Sequence, residues 1–133
     1  MDITGRLKFV RSALYVPGSN ARALEKARSL DADMLIIDLE DAVPEEMKAE
    51  ARAAAVAYVA AGAGGKILAI RANGFDSVYH ADDITALRGS AADLLVLPKV
   101  EDVAALPDIR LPLLAMIETP AGLFAAPEIA AHV

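Results

Sequence analysis

Apolar residues in this chain come in short unbroken runs: ALYVP (13–17), MLIID (34–38), ILAIR (67–71), LLVLP (94–98) and LLAMI (113–117). A strand with one face in water alternates polar and apolar residues, whereas a strand buried on both faces reads as a continuous apolar stretch. Ala-rich amphipathic segments separate the runs. NARALEKARSL predicts a helix behind an Asn20 cap. PEEMKAEARAAAVAYVAA opens on Pro44 and two Glu, which suit a helix start, and stops before Gly62. YHADDITALRGS and AAPEIAAHV predict shorter helices, and VEDVAAL a turn or two. Strand alternating with helix predicts parallel βαβ units, with right-handed crossovers setting successive strands side by side. AAGAGGK (60–66) reads as a loop. No linker or close repeat divides the chain, so residues 1–133 read as one α/β domain.

Composition narrows the picture. Apolar residues make up 56 % and aromatics 5 %, so the predicted core is aliphatic. Mean hydropathy is +0.39, yet no apolar stretch reaches the roughly 18 residues of a membrane span. Net charge is −6, without a basic stripe, which argues against a nucleic-acid partner. Cysteine is absent, which removes disulfides and thiolate metal ligands. MDITGRLKFV lacks the apolar core of a secretory leader, so the expected location is cytoplasmic.

Chemistry collects where the apolar runs stop. PGS, DLEDAV, RANG, PKVE and ETPAG follow the five runs in turn. The C-terminal ends of parallel strands share one rim, where ligands of such folds bind. Asp38, Glu40 and Asp41 bring three carboxylates to the second strand's end. Asp41 also suits a cap on the following helix. Carboxylates this close repel unless cations balance them, and Arg71 and Lys99 end the next two strands. A purely structural ion-pair network is the bland alternative. Glu118, directly after an apolar run, reads as a hard-cation ligand or a general base; Mg²⁺ suits such an oxygen-rich rim. Arg71 offers a planar fork for a substrate carboxylate. His80 and His132 read as surface residues. Nothing resembles a Walker loop, a GxGxxG turn or a Ser–His–Asp set.

In this order, RSALYVPGS…EKA, LIIDLEDAVP, IRANG, LPKVE and IETPAG resemble the citrate lyase β-subunit family. It sits with malyl-CoA and citramalyl-CoA lyases in the HpcH/HpaI aldolase group. The resemblance runs from Arg11 onward and implies a (βα)₈ TIM barrel, here truncated to about five βα units. It implies a Mg²⁺-dependent carbon–carbon lyase acting on a citryl-, malyl- or citramalyl-CoA type thioester, giving an acyl-CoA and a 2-keto acid. Glu118 matches the metal ligand, with a second carboxylate expected beyond Val133. Arg71 matches the substrate-binding Arg, and Asp38, Glu40 and Asp41 the acidic motif lining the site. Pro120 and Lys99 fall among the substrate-binding positions, and Lys26, with Arg22, near the coenzyme A. Ala121 stands where citrate-lyase-like members often carry Arg. A homo-oligomer, trimer or hexamer, is expected, with this chain alone inactive. A malyl-CoA thioester hydrolase and a non-catalytic, self-associating half-barrel are the alternatives.

Overall fold

The computed structural model describes residues 1–133. Its strands are β1 (Ala13–Pro17), β2 (Met34–Asp38), β3 (Ile67–Arg71), β4 (Leu94–Leu97) and β5 (Leu113–Ala115). Its helices are α1 (Ile3–Leu7), α2 (Ala21–Ala27), α3 (Lys48–Ala61), α4 (His80–Arg88) and α5 (Pro120–Ala130). All strand pairs are parallel and the sheet order is β1-β2-β3-β4-β5. A doubly wound sheet reverses its order partway; a sequential order winds one way and gives an arc of a barrel wall.

The strands alternate between two apolar layers. Leu35, Ile37, Leu68, Ile70, Leu95 and Leu97 face α2 to α5 and join Leu24, Ala55, Val59, Leu87 and Ile129 in the main core. Met34, Ile36, Ile67, Ala69, Leu94 and Val96 form the inner layer of the arc. α1 lies below that layer, with Ile3 and Leu7 packed against it. Its tether is Arg6, which pairs with Asp93 at 3.1 Å and donates to the Gly65 carbonyl. This helix is absent from the sequence reading, because five residues carry too little periodicity; Asp2, capping Gly5 N–H at 2.8 Å, is its one local mark. The flanking strands β1 and β5 leave Leu14, Tyr15 and Leu114 partly exposed.

Local chemistry explains the element ends. Asn20 caps α2 by accepting the Ala23 N–H at 3.0 Å. Asp41 does not cap the next helix. A 3-10 turn over Glu45–Met47 precedes α3, neither start has a side-chain cap, and Asp41 instead lies beside Lys99. Gly62 ends α3 at φ +76°, a conformation glycine adopts freely. α5 starts at Pro120, five residues before the predicted AAPEIAAHV, because Thr119 caps Gly122 and Pro suits the first helical position.

Gly122 is also where α5 meets the turn after β4. A Cβ there would sit 2.5 Å from the Val100 carbonyl oxygen, a backbone atom with little freedom to retreat. Gly122→Ala is therefore expected to destabilise the fold by about 1–3 kcal/mol, despite the better helix propensity of Ala. Urea unfolding checks this; an unchanged midpoint would mean that α5 slides outward without cost.

Candidate active site

The rim is built by register. Asp38 and Arg71 are paired positions of β2 and β3, so both side chains leave the sheet on the same inner face. Arg71 donates through Nε to Asp38 Oδ1 at 2.7 Å and through Nη2 to Oδ2 at 2.8 Å. Each Asp38 oxygen also accepts a backbone N–H, from Glu40 and from Ala42, both at 2.9 Å. Both side chains are buried. Burial alone pushes the Asp38 carboxyl up, but the Arg71 fork and the two N–H groups outweigh it and hold the group below its ordinary range. The bond to Asp38 drives Arg71 the other way and keeps it protonated against its own burial.

The planar fork expected to meet a substrate carboxylate is therefore largely occupied by the acidic motif that Arg71 was also expected to balance. Its Nε–Nη2 edge belongs to Asp38, and Nη1 lies 3.3 Å from Glu40 Oε1. The guanidinium carbon stacks 4.7 Å from the centre of the Tyr15 ring. Glu40 is buried; its Oε1 accepts no hydrogen bond, while Oε2 meets Lys99 Nζ at 3.1 Å. Lys99 also lies 3.8 Å from Asp41, and these two carboxylates raise its pKa, the bond to Glu40 first. The cations thus lie against the acidic motif, as charge balance requires.

Glu118 sits beyond β5, exposed, and its Oε1 accepts the backbone N–H of Lys99 at 2.8 Å. No cation lies within salt-bridge distance of it, and its second oxygen makes no hydrogen bond. Pro120 is exposed at the start of α5. Arg22 and Lys26 are exposed on α2, one turn apart, with no contact to this cluster. Beside the rim lies a cleft of about 580 Å³ lined by Glu40, Asp41, Lys48, Asn73, Phe75 and Lys99, among others.

Three supports escaped the sequence reading. Tyr15 follows the alternation of β1, so its inward place was legible once strand phase was set. Lys48 is buried and donates to the Leu39 and Glu40 carbonyls at 2.9 and 2.7 Å, fixing the turn that carries Glu40; nothing in its helical context marks it. Asp83, fully buried, accepts from Asn73 N–H, Asn73 Nδ2 and Arg52 Nε at 2.7–2.8 Å, and so anchors the loop after β3. His80 is half-buried rather than exposed, bonded to the Asn73 carbonyl and edge-on to Phe75.

Mg²⁺ requires hard oxygens and tolerates one or two carboxylates completed by water. The free oxygen of Glu118 fits that demand. Asp38 and Glu40 are committed to cations, and no group of three or more His, Cys, Asp or Glu side chains is placed to hold a metal. The chain fits a site with Glu118 as one protein ligand, not a complete cage.

Residues 11–111 match the family model described as HpcH/HpaI aldolase/citrate lyase. A (3S)-malyl-CoA thioesterase of Cereibacter sphaeroides is 47 % identical over 128 residues, covering 92 % of this chain and 45 % of that protein. A citrate lyase subunit beta-like protein of Deinococcus radiodurans is 37 % identical over 134 residues, covering 90 % of this chain and 47 % of that protein. Among solved structures, the citrate lyase beta subunit of M. tuberculosis, complexed with oxaloacetate and magnesium, superposes with a TM-score of 0.79 at 30 % identity. It covers 95 % of this chain and 56 % of that one. A structure of protein CitE of Mycobacterium tuberculosis with magnesium, acetoacetate and coenzyme A gives 0.78 at 31 % identity, covering 93 % of this chain and 46 % of that one. The chain spans about half the length of the curated relatives it matches.

Proposed function

Since the chain belongs to the HpcH/HpaI aldolase/citrate lyase family, we propose that it carries the N-terminal part of the active site of an enzyme hydrolysing a malyl-CoA type thioester. The observation that carries this reading is the 47 % identity to (3S)-malyl-CoA thioesterases across 92 % of the chain. It supports hydrolysis better than the carbon–carbon cleavage expected from the motifs. Cleavage is the second reading, supported by the likeness to citrate lyase beta subunits at a TM-score of 0.79.

Both reactions place the same demand on this half of the site. A substrate carboxylate or oxyanion must be met by fixed positive charge in a poorly hydrated place. Arg71 supplies it. Asp38 and the Tyr15 ring hold the guanidinium still, and Nη1 remains as the donor on the side of Glu40. Glu40 is pinned by Lys99 and by the Lys48-bound turn, and its buried Oε1, 3.3 Å from Arg71 Nη1, balances the charge of that donor. Glu118 is the residue of this chain that would hold Mg²⁺, which when bound polarises substrate oxygens as a Lewis acid. Pro120 keeps its place in this reading as the start of the helix behind Glu118. Arg22 and Lys26 keep in this reading the place near the coenzyme A that the family resemblance implies, and both are basic and exposed. A homo-oligomer belongs to the same proposal, supported by the apolar exposure on β1 and β5.

The two reactions separate by product. Hydrolysis of malyl-CoA by the intact protein releases a free thiol and malate, whereas cleavage releases glyoxylate and keeps the thioester. Thiol release without glyoxylate supports hydrolysis; glyoxylate in step with substrate loss replaces it with the lyase reading. Glu118→Gln is expected to lower Mg²⁺-dependent turnover at least about a hundredfold. Its melting temperature should hardly change, because the side chain is exposed and the amide still accepts the Lys99 N–H. Retained activity together with a large loss of stability would make Glu118 structural.

A further inference from the structure

We propose that Lys99 positions Glu118 through its backbone and not through its charge. Lys99 is the one non-glycine residue with positive φ, at +52°. That region is uncommon for residues with a Cβ and persists where surrounding structure imposes it. Here the imposing contacts are visible. The Lys99 N–H reaches Glu118 Oε1 at 2.8 Å, and the next N–H, of Val100, reaches the Met116 carbonyl at 3.2 Å. Two successive N–H groups thus reach two separate acceptors, a carboxylate and a carbonyl, in one segment after β5. The Val100 carbonyl meets Gly122 in the same segment, where no side chain would fit.

The turn after β4 is thus clamped onto the segment from Met116 to Gly122, and Glu118 is held by the clamp. The ammonium is a separate matter. It is about half exposed and points to Glu40 and Asp41 on the β2 side. Two substitutions that both delete the charge separate the two roles. Lys99→Gly tolerates positive φ, whereas Lys99→Val opposes it strongly.

The inference rests on the reading of Glu118 as a Mg²⁺ ligand, but its test does not depend on that alone. Mg²⁺ titration calorimetry of the intact protein should show Lys99→Gly and Lys99→Asn within about twofold of each other, since Asn also accepts this conformation. Lys99→Val should bind Mg²⁺ roughly tenfold more weakly than Lys99→Gly. Equal affinities for the Gly and Val variants would overturn the proposal. Hydrogen exchange of the residue-99 amide gives the second measurement, whether or not Mg²⁺ binds. Glu118→Ala in the parent chain should speed that exchange at least about tenfold, and unchanged exchange would also overturn the proposal. If the parent binds no Mg²⁺ while the amide behaves as described, the metal reading fails and the positioning role stands.

Discussion

Asp38→Ala is expected to lose about 3–5 kcal/mol of folding stability, the cost of breaking a buried ion pair from one side. The carboxylate accepts four hydrogen bonds, two from Arg71 and one each from the Glu40 and Ala42 amides. Its removal leaves a guanidinium buried with one remaining carboxylate at 3.3 Å. A domain of this size has a total stability of about 5–15 kcal/mol, so the variant sits near the folding threshold. Urea unfolding measures the loss. Asp38→Leu combined with Arg71→Met should recover at least about half of it, because an apolar pair leaves no orphaned charge. A double variant as unstable as the single one would place the cost in the Glu40 and Ala42 amides instead.

The same pair sets a pH dependence. The Asp38 carboxyl titrates lower in the folded chain than in the unfolded one. Below the usual carboxylate range the unfolded chain therefore binds the proton first, and stability rises with pH there. The contribution is complete above about pH 4, the unfolded value, and is lost as pH falls through the folded value. Asp33 is lowered too, first by its bond to Arg11, and adds a slope of the same sign. Asp38→Asn should flatten the acid limb of the stability curve in part and leave the Asp33 portion.

Asp83→Ala is the second large effect, with an expected loss of about 3 kcal/mol. Its carboxylate is fully buried and is the shared acceptor for Arg52 and for both Asn73 donors. Without it, the Asn73 amide is buried with no partner, and the segment from Asn73 to His80 loses its anchor. That segment walls the cleft through Asn73, Phe75 and Ser77. The loss should therefore appear twice: as a lower melting temperature, and as faster hydrogen exchange over residues 73–80 at temperatures where the sheet stays protected. Uniform loosening of the whole chain would show that Asp83 serves the core and not the loop.

Much of the architecture was legible because unbroken apolar runs leave a mark in single residues, although only β2, β3 and β4 are buried on both faces while β1 and β5, at the edges, are not. The runs at 13–17, 34–38 and 67–71 coincide with β1, β2 and β3, while the last two stop short at Leu97 and Ala115. There the chain leaves the sheet while still apolar: Pro98 is buried and Ile117 partly exposed. The rim was legible for the same reason, since charge after such a run has few other uses. How the rim charges share one another was not. That Asp38 takes the Arg71 fork depends on strand register, a property of two segments. Lys48 and Asp83 lie on helices whose sequences look like ordinary exposed faces; only tertiary burial turns them inward. The α1 plug and the Lys99 turn are likewise set by what they touch.

The sequential strand order also bears on how the chain acquires its shape. Each ladder joins strands one βα unit apart, so every pairing closes a modest loop and can form as soon as its unit is made. Contacts that tie distant parts together are of another kind. Arg6 reaches Asp93 across 87 positions, and the Tyr15 hydroxyl reaches the Met116 sulfur across 101. These ties carry the largest entropic cost and form only after the arc exists to bring their ends together. The expected path to the native state is therefore a progressive winding from one unit to the next, with the helix beneath the arc and the bridge across it latching last.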